Sequence, residues 1–321
     1  MNTIRLTGKI TLVQLEYIIA VDNYRHFAKA AENCFVTQPT LSMQIQKLED
    51  QLGVIIFDRS KQPVVPTEIG KKIISQARII LNETKKLNDL IQQKDNEIRG
   101  ELRIGIIPTI APYLLPLIIS KFIDAYPLVN VKVKEHITEH IVEKLNKGLL
   151  DVGILATPLN DPAIIEKPLF YELFVGYVSS SSALFNKENI SFDDLKSENI
   201  WILNEGHCFR EQVINICNLK SFPPQNSSFT YESGSIEAIR RLVDTYGGVT
   251  LVPELATIGM DQKQKSKLRL FEAPGPSREV SLVLYRSHLK KKLVDALFIV
   301  IKDAIPVEIS ERENPNVIEW K

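Results

Sequence analysis

The hydrophobic pattern changes character near residue 100. Before that point apolar positions recur at helical spacing; after it, short apolar runs of strand length alternate with helical stretches. Leu12, Leu15, Tyr17, Ile18 and Ile19 predict one apolar face of a first helix. The Ala-rich stretch 27–34 predicts a second helix. Residues 38–51 predict a third, with Leu41, Ile45, Leu48 and Leu52 as its buried stripe. Only Phe35, Val36 and Thr37 separate the second from the third, the connection length of a helix-turn-helix. Thr37 suits an N-cap, and Pro39 falls in the first turn, where a missing N–H costs nothing. Burying the stripe leaves Gln38, Thr40, Ser42, Gln44 and Lys47 toward solvent or a partner.

The segment SKQPVVPTE, with two prolines and paired valines, predicts a short β-ribbon, or wing. A long helix is then expected over 67–98. Its Ile73, Ala77, Ile80, Thr84, Leu87 and Ile91 step by four and three in alternation, a heptad seam suited to pairing with a second copy. The alternative is that this stripe packs onto its own domain. From Glu101 the runs LRIGII, VNVKVKEH and VGILA read as strands, separated by helices in 112–125 and 139–149. That is the rhythm of a parallel sheet. Tyr171 to Ser179 crosses into a second set: strand NIWILNE, a helix from Cys208, strand SSFTYES, a helix over 235–246 and strand VTLVP. REVSLVLYR and a closing helix over 289–304 return to the first set. Two α/β lobes joined by crossing strands enclose a cleft, where ligands usually bind. The charged tail after Pro306 is expected to be loosely ordered.

Composition narrows the class. Across 321 residues, 44% are hydrophobic and 24% charged, which fits a soluble globular protein of two or three domains. Lys/Arg and Asp/Glu balance at 39 each, so net charge does not mark a polyanion partner, and an excess of three basic residues over 1–95 is weak. Arg5, Lys9 and Glu16 interrupt any secretory run, and the longest uncharged stretch, 104–120, carries three prolines and is short for a membrane span. A cytoplasmic location without membrane attachment follows as an expectation. Three cysteines, Cys34, Cys208 and Cys217, make no structural disulfide framework, so any bridge would be transient. No metal site and no cofactor are expected. There is no Cys-x-x-Cys pair, phosphate-binding Gly-rich loop, Gly-x-Ser-x-Gly elbow or metalloprotease helix.

HFAKAAENCFVTQPTLSMQIQKLEDQLGVIIFDR resembles the helix-turn-helix of LysR-type transcriptional regulators, and the likeness extends through wing, linker helix and effector region. EGHCFREQVINIC resembles the redox-active loop of that family's hydrogen-peroxide sensors, with Gly-His-Cys and a nine-residue step to the second cysteine; IPTIAPYLLP is similar to their first strand-to-helix turn. The resemblance implies an α/β multidomain chain. Residues 1–66 would form a winged helix-turn-helix, 67–98 a linker and dimerisation helix, and 99–306 a two-lobed, periplasmic-binding-protein-like effector domain. Lobe I would take 99–170 plus 275–306, lobe II 171–274, and 307–321 the tail. It further implies an activator of oxidative-stress genes rather than an enzyme. Its partners would be double-stranded DNA, RNA polymerase, a cellular dithiol reductant and further copies of itself: a dimer through the linker helix, and a tetramer.

On the DNA side, short polar side chains near the start of a major-groove helix can reach base edges. Gln38, Pro39, Thr40, Ser42 and Gln44 are the candidates, with Lys47 and Arg59 as phosphate contacts that confer affinity more than sequence information. The plainer alternative is a helical hairpin with ordinary solvated positions. On the thiol side, the resemblance makes Cys208 the peroxidatic thiol and Cys217 its resolving partner. Thr109, Thr138, His207 and Arg278 would surround the peroxide and the sulfur. Glu211 stands where an aspartate is typical, keeping the carboxylate on a longer reach. Thiolate is the reactive form, so a helix N-terminus and a nearby arginine such as Arg210 are the features to seek. Three alternatives stay open. Both cysteines could be ordinary buried hydrophobes in a metabolite-sensing regulator; His207, Cys208, Cys217 and His136 or His140 could hold zinc; or the pair could serve a thiol peroxidase, which would not need the first 60 residues. Cys34 is expected to be a small core residue without a role.

Overall fold

In the computed structural model, the residues described are 10–92, 97–217, 234–286, 290–312 and 316–319. They fall into two compact units, one running to Glu97 and the other from Ile98 onward.

The first unit contains α1 (Leu12–Tyr24), α2 (Phe27–Asn33) and α3 (Gln38–Leu52), then β1 (Phe57–Asp58), β2 (Val65–Pro66) and α4 (Glu68–Gln92). Each of the first three helices starts on a side-chain cap. Thr11 and Gln14 form a reciprocal capping box, His26 accepts from the Lys29 amide, and Thr37 accepts from the Thr40 amide. Gly53, at φ 66°, ends α3 in the left-handed region that a side chain would strain. Leu41, Ile45 and Leu48 are fully buried with Ile18, Val21, Ala30 and Phe57, and Leu52 packs against that core. Leu12 differs from expectation: it is 46% exposed, because the buried face of α1 turns through Leu15, Ile18 and Val21. The ribbon forms as expected, β1 pairing antiparallel with β2. On α4, Ile74 and Ala77 are buried in the unit's own core and Ile73 packs against it. The start of the seam therefore serves its own unit. Ile80 is exposed, and the side chains of Leu87 and Ile91 lie outside the description. The helix is shorter than expected: residues 97–99 are already non-helical, and Ile98 packs into the next unit's core.

The second unit runs β3 (Gly100–Ile106), α5 (Ala111–Ala125), β4 (Val129–Glu135), α6 (Thr138–Asn146), β5 (Val152–Thr157) and β6 (Ile164–Val178). It continues through β7 (Asn189–Ile190), α7 (Cys208–Cys217), α8 (Ile236–Tyr246), β8 (Val249–Pro253), α9 (Gln262–Lys265) and β9 (Leu268–Phe271). It closes with β10 (Pro276–Tyr285), α10 (Lys291–Ala304), α11 (Val307–Ser310) and β11 (Asn316–Val317). Among the described residues the sheet order is β4-β3-β5-β10-β6-β9-β7, with β8 on β6 and β11 on β10. β3 runs parallel to β4 and β5, as βαβ crossovers require, whereas β10 lies antiparallel to β5 and β6. Small residues let α6 close on this sheet: a Cβ on Gly105 or Gly153 would come within 3.2 or 2.6 Å of Ile141. The 15-residue β6 changes partners along its length, pairing with β10 in its first part and with β8 and β9 at its end. Two apolar cores result, one around β3, β5, α5 and α10, the other around β8, α7 and α8.

Two expectations fail here. NIWILNE forms no strand. It makes a single parallel bridge, Ile200 to Val249; the Thr250 hydroxyl then takes the Trp201 carbonyl (2.8 Å), and Gly206 at φ 87° turns the chain toward α7. The described part of the tail is not loose either. Ile309 is buried, Arg312 pairs with Glu254 (2.6 Å), and β11 adds to β10. SSFTYES lies outside the described residues.

Candidate functional site

The first candidate surface is the start of α3. Thr37 caps the helix and holds the Thr40 hydroxyl at 2.8 Å, which fixes the first turn. Gln38, Pro39 and Lys47 are exposed, whereas Thr40, Ser42 and Gln44 are half-buried. Arg59, from just beyond β1, reaches back to α3. It donates to Ser42 Oγ (3.1 Å), pairs with Glu49 (3.0 Å) and lies 5.0 Å from the Phe27 ring centre. Glu49 in turn accepts from the Ile56 and Phe57 amides (2.7 and 3.1 Å), so the arginine is tied to the frame beside the helix. Of the seven residues singled out on this side, Arg59 and Ser42 touch one another, and Lys47 remains an exposed cation on the open face.

The second candidate is the N-terminus of α7. Gly206 lets the chain turn abruptly, and Cys208 becomes the first helical residue, 4% exposed. Arg278, on β10, is fully buried and provides the nearby positive charge. Its guanidinium pairs with Glu172 of β6 (2.8 Å) and donates to Thr109 Oγ1 (3.0 Å) and the Thr109 carbonyl (3.1 Å). It also sits 5.1 Å from the Phe209 ring centre. Glu172 accepts from the Leu255 amide (3.0 Å) as well, so the buried ion pair is closed by further hydrogen bonds. Thr138, the first residue of α6, is buried near the sulfur, and among the described residues no partner completes a well-formed hydrogen bond to its hydroxyl.

Burial pushes the Cys208 thiol above its ordinary range. Arg278, Thr138 and the amides of Phe209 and Cys208 all favour the thiolate, without fully offsetting that burial. Burial also lowers the pKa of His207, which is therefore held as the neutral imidazole. Cys217, at the other end of α7, is 1% exposed and pushed up to about 12 by burial. Both thiols are free, one at each end of an unbroken helix. Nine residues of helix rise roughly 13.5 Å, against a limit of roughly 7 Å between the Cα atoms of a disulfide.

Thr109, Arg278, Thr138 and Cys208 thus converge at one buried site, with His207 next to it in sequence. Glu211 is exposed on α7 and joins none of the contacts described above. Sequence reasoning missed Glu172 and Phe209. A lone carboxylate in the apolar run LFYELFVGYV was the available signal for Glu172. Nearby, His136, His140, His207, Tyr113, Glu135 and Glu237 line a cleft of about 580 Å³, where Tyr113 donates to Glu237 (3.1 Å). Among the described residues, no three His, Cys, Asp or Glu side chains are arranged to hold a metal. Cys34 is half-buried at the end of α2 and packs against the first unit's core.

Comparison with known proteins places both units. Residues 12–71 match the family described as "Bacterial regulatory helix-turn-helix protein, lysR family", and 95–306 match "LysR substrate binding domain". A relative from Haemophilus influenzae, named "Hydrogen peroxide-inducible genes activator", is 37% identical over 269 residues, covering 84% of this chain and 88% of its own. The Escherichia coli K12 protein named "DNA-binding transcriptional dual regulator OxyR" is 36% identical over 270 residues, covering 84% and 87%. Full-length OxyR from Pseudomonas aeruginosa, solved as a cysteine-to-aspartate variant, is similar with a TM-score of 0.76 and 34% identity, covering 92% of this chain and 98% of that one.

Proposed function

The chain belongs to the LysR family of transcriptional regulators, as an OxyR-like DNA-binding protein rather than an enzyme, and from that premise we propose that its signal is hydrogen peroxide, read by a reversible Cys208–Cys217 disulfide. The observation that carries this reading is the Cys208 thiol at the start of α7, buried within reach of the Arg278 charge.

The Cys208 thiolate attacks one peroxide oxygen. The O–O bond breaks, a sulfenic acid forms on Cys208, and the departing hydroxide takes a proton to leave as water. Arg278, with Thr109 and Thr138, stabilises the charge that passes from sulfur to the leaving oxygen. Cys217 sulfur then attacks the sulfenic sulfur, releasing a second water and closing the disulfide. The balance is one peroxide and two thiols to one disulfide and two waters. Because the helix holds the sulfurs too far apart, closure requires α7 to unwind, and the refolded segment is the signal. A cellular dithiol reverses the bond. His207 supplies a polar contact around the peroxide and the sulfur, and Glu211, exposed on α7, keeps a carboxylate there on a longer reach than an aspartate.

The output is activation of oxidative-stress genes through DNA and RNA polymerase. The polar start of α3 reads bases from Gln38, Pro39, Thr40, Ser42 and Gln44. Lys47 contacts phosphate, and Arg59 does so while anchored to Glu49. The functional particle is a dimer through α4, assembled further into a tetramer. Domain limits of 1–66, 67–98, 99–306 and 307–321 accompany this reading, with lobe I as 99–170 plus 275–306 and lobe II as 171–274.

Trapping of sulfenic acid tests the chemistry. In Cys217→Ser, peroxide is expected to leave a dimedone adduct on Cys208, while Cys208→Ser yields none. Labelling confined to Cys34 or Cys217 would contradict the assignment.

A further inference from the structure

The C-terminal segment is bonded to both elements that carry the thiol chemistry. β11 pairs in parallel with the start of β10, Asn316 opposite Pro276 and Val317 opposite Ser277. β6 occupies the other edge at Ser277, so β11 extends the edge that β5 leaves at Glu279. The next residue of β10 is Arg278. The Ile318 amide donates to the Ser277 carbonyl (2.8 Å), and the Ile318 side chain packs against the second core. From α7, Gln212 Nε2 donates to the Ile318 carbonyl (2.8 Å) and Asn215 Nδ2 to the Glu319 carbonyl (2.9 Å). Gln212 is fully buried. Both of these side chains lie between Cys208 and Cys217 and reach the tail only while α7 is helical.

We infer that residues 316–319 form a latch on the thiol helix, which stabilises the reduced state and is expelled when the disulfide closes. This rests on the disulfide reading above. Closing Cys208 onto Cys217 unwinds the helix that presents Gln212 and Asn215 on one side. The tail then loses two side-chain donors at once and keeps the short pairing at Pro276 and Ser277 with the Asn316 Nδ2 bond to the Pro274 carbonyl (3.3 Å). By linkage, whatever binds the helical form alone biases the thiols toward reduction. Release would also uncover the β10 edge at Pro276–Ser277, beside the Arg278 position.

Hydrogen–deuterium exchange on the full-length protein tests this, with the disulfide scored by intact mass in the same samples. The 316–319 segment is expected to exchange slowly when reduced and at least about ten-fold faster after peroxide, since two net hydrogen bonds correspond to roughly that factor or more. Peroxide-treated Cys217→Ser, which cannot bridge, is expected to stay slow. A chain ending at Pro315 should become half-oxidised at a dithiol-to-disulfide ratio about ten-fold more reducing than the full chain needs. Asn215→Ala, an exposed change, should shift the same way by less. If the disulfide forms while the segment stays protected, the latch is wrong and the switch stands. If no disulfide forms, both fail.

Discussion

At the scale of the residue, the chemistry turns on how a buried thiol becomes reactive. Burial raises the Cys208 pKa and Arg278 opposes it, with burial ahead. The thiolate is therefore a minor species near neutrality, and its fraction grows about ten-fold per pH unit until the raised pKa is reached. Stopped-flow oxidation by peroxide should accelerate steadily from pH 7 to 9 without levelling; a plateau beginning below pH 7 would contradict this balance. Removing the opposing charge shifts the balance further. Arg278→Gln alone would strand Glu172 in the core, so the informative protein is Arg278→Gln with Glu172→Gln, which deletes the pair together. Loss of a close opposite charge moves a pKa by about one unit or more, so oxidation at pH 7.5 should slow by about ten-fold or more while the fold persists. Local motif carried much of this site in the sequence. Gly206, His207 and Cys208 are adjacent, and Thr109 and Thr138 each stand near the start of a helix that follows a strand. The Glu172–Arg278 pair was not legible, because its members are separated by 106 residues and meet only through strand register.

At the scale of the element, patterning served wherever a stripe or a run decided burial. α3, α5, α8 and α10 lie close to where apolar periodicity puts them, with caps at Thr37 and Ser235 marking two of the starts. It misled where hydrogen bonding decided instead. NIWILNE has the composition of a strand and buries Ile200, Ile202 and Leu203, yet a side-chain hydroxyl takes the carbonyl that would continue the ladder. The tail failed as a prediction for a related reason. Its order comes from Ser277, Gln212 and Asn215, none of which is nearby in sequence. On α3 the division of labour is testable. Lys47 is an exposed cation and Arg59 is tied to Glu49, so Lys47→Ala should weaken DNA binding about equally across sequences and reduce the salt slope by about one. Mobility shift at several salt concentrations measures it; a change in sequence preference with an unchanged slope would overturn the phosphate role.

At the scale of the whole molecule, two separately cored units divide reading from sensing. No described helix is long and apolar enough to cross a membrane. On the proposed reading, a two-atom bond would have a large consequence in the sensing unit. Its cysteines are held apart by an intact helix, each is buried, and the helix between them is fastened to the tail. On the proposed reading, a Cys208–Cys217 disulfide would form only by dismantling that arrangement, so bridging and rearrangement would be one event. Sequence alone could place both cysteines and the helix between them; the tail's part in holding that helix emerged only from the folded chain. The most direct test of the account is the intact mass of reduced protein before and after a near-stoichiometric pulse of hydrogen peroxide. The account predicts the loss of two hydrogens per chain and a crosslinked Cys208–Cys217 peptide, with Cys34 unchanged. Survival of all three thiols under that dose would contradict it.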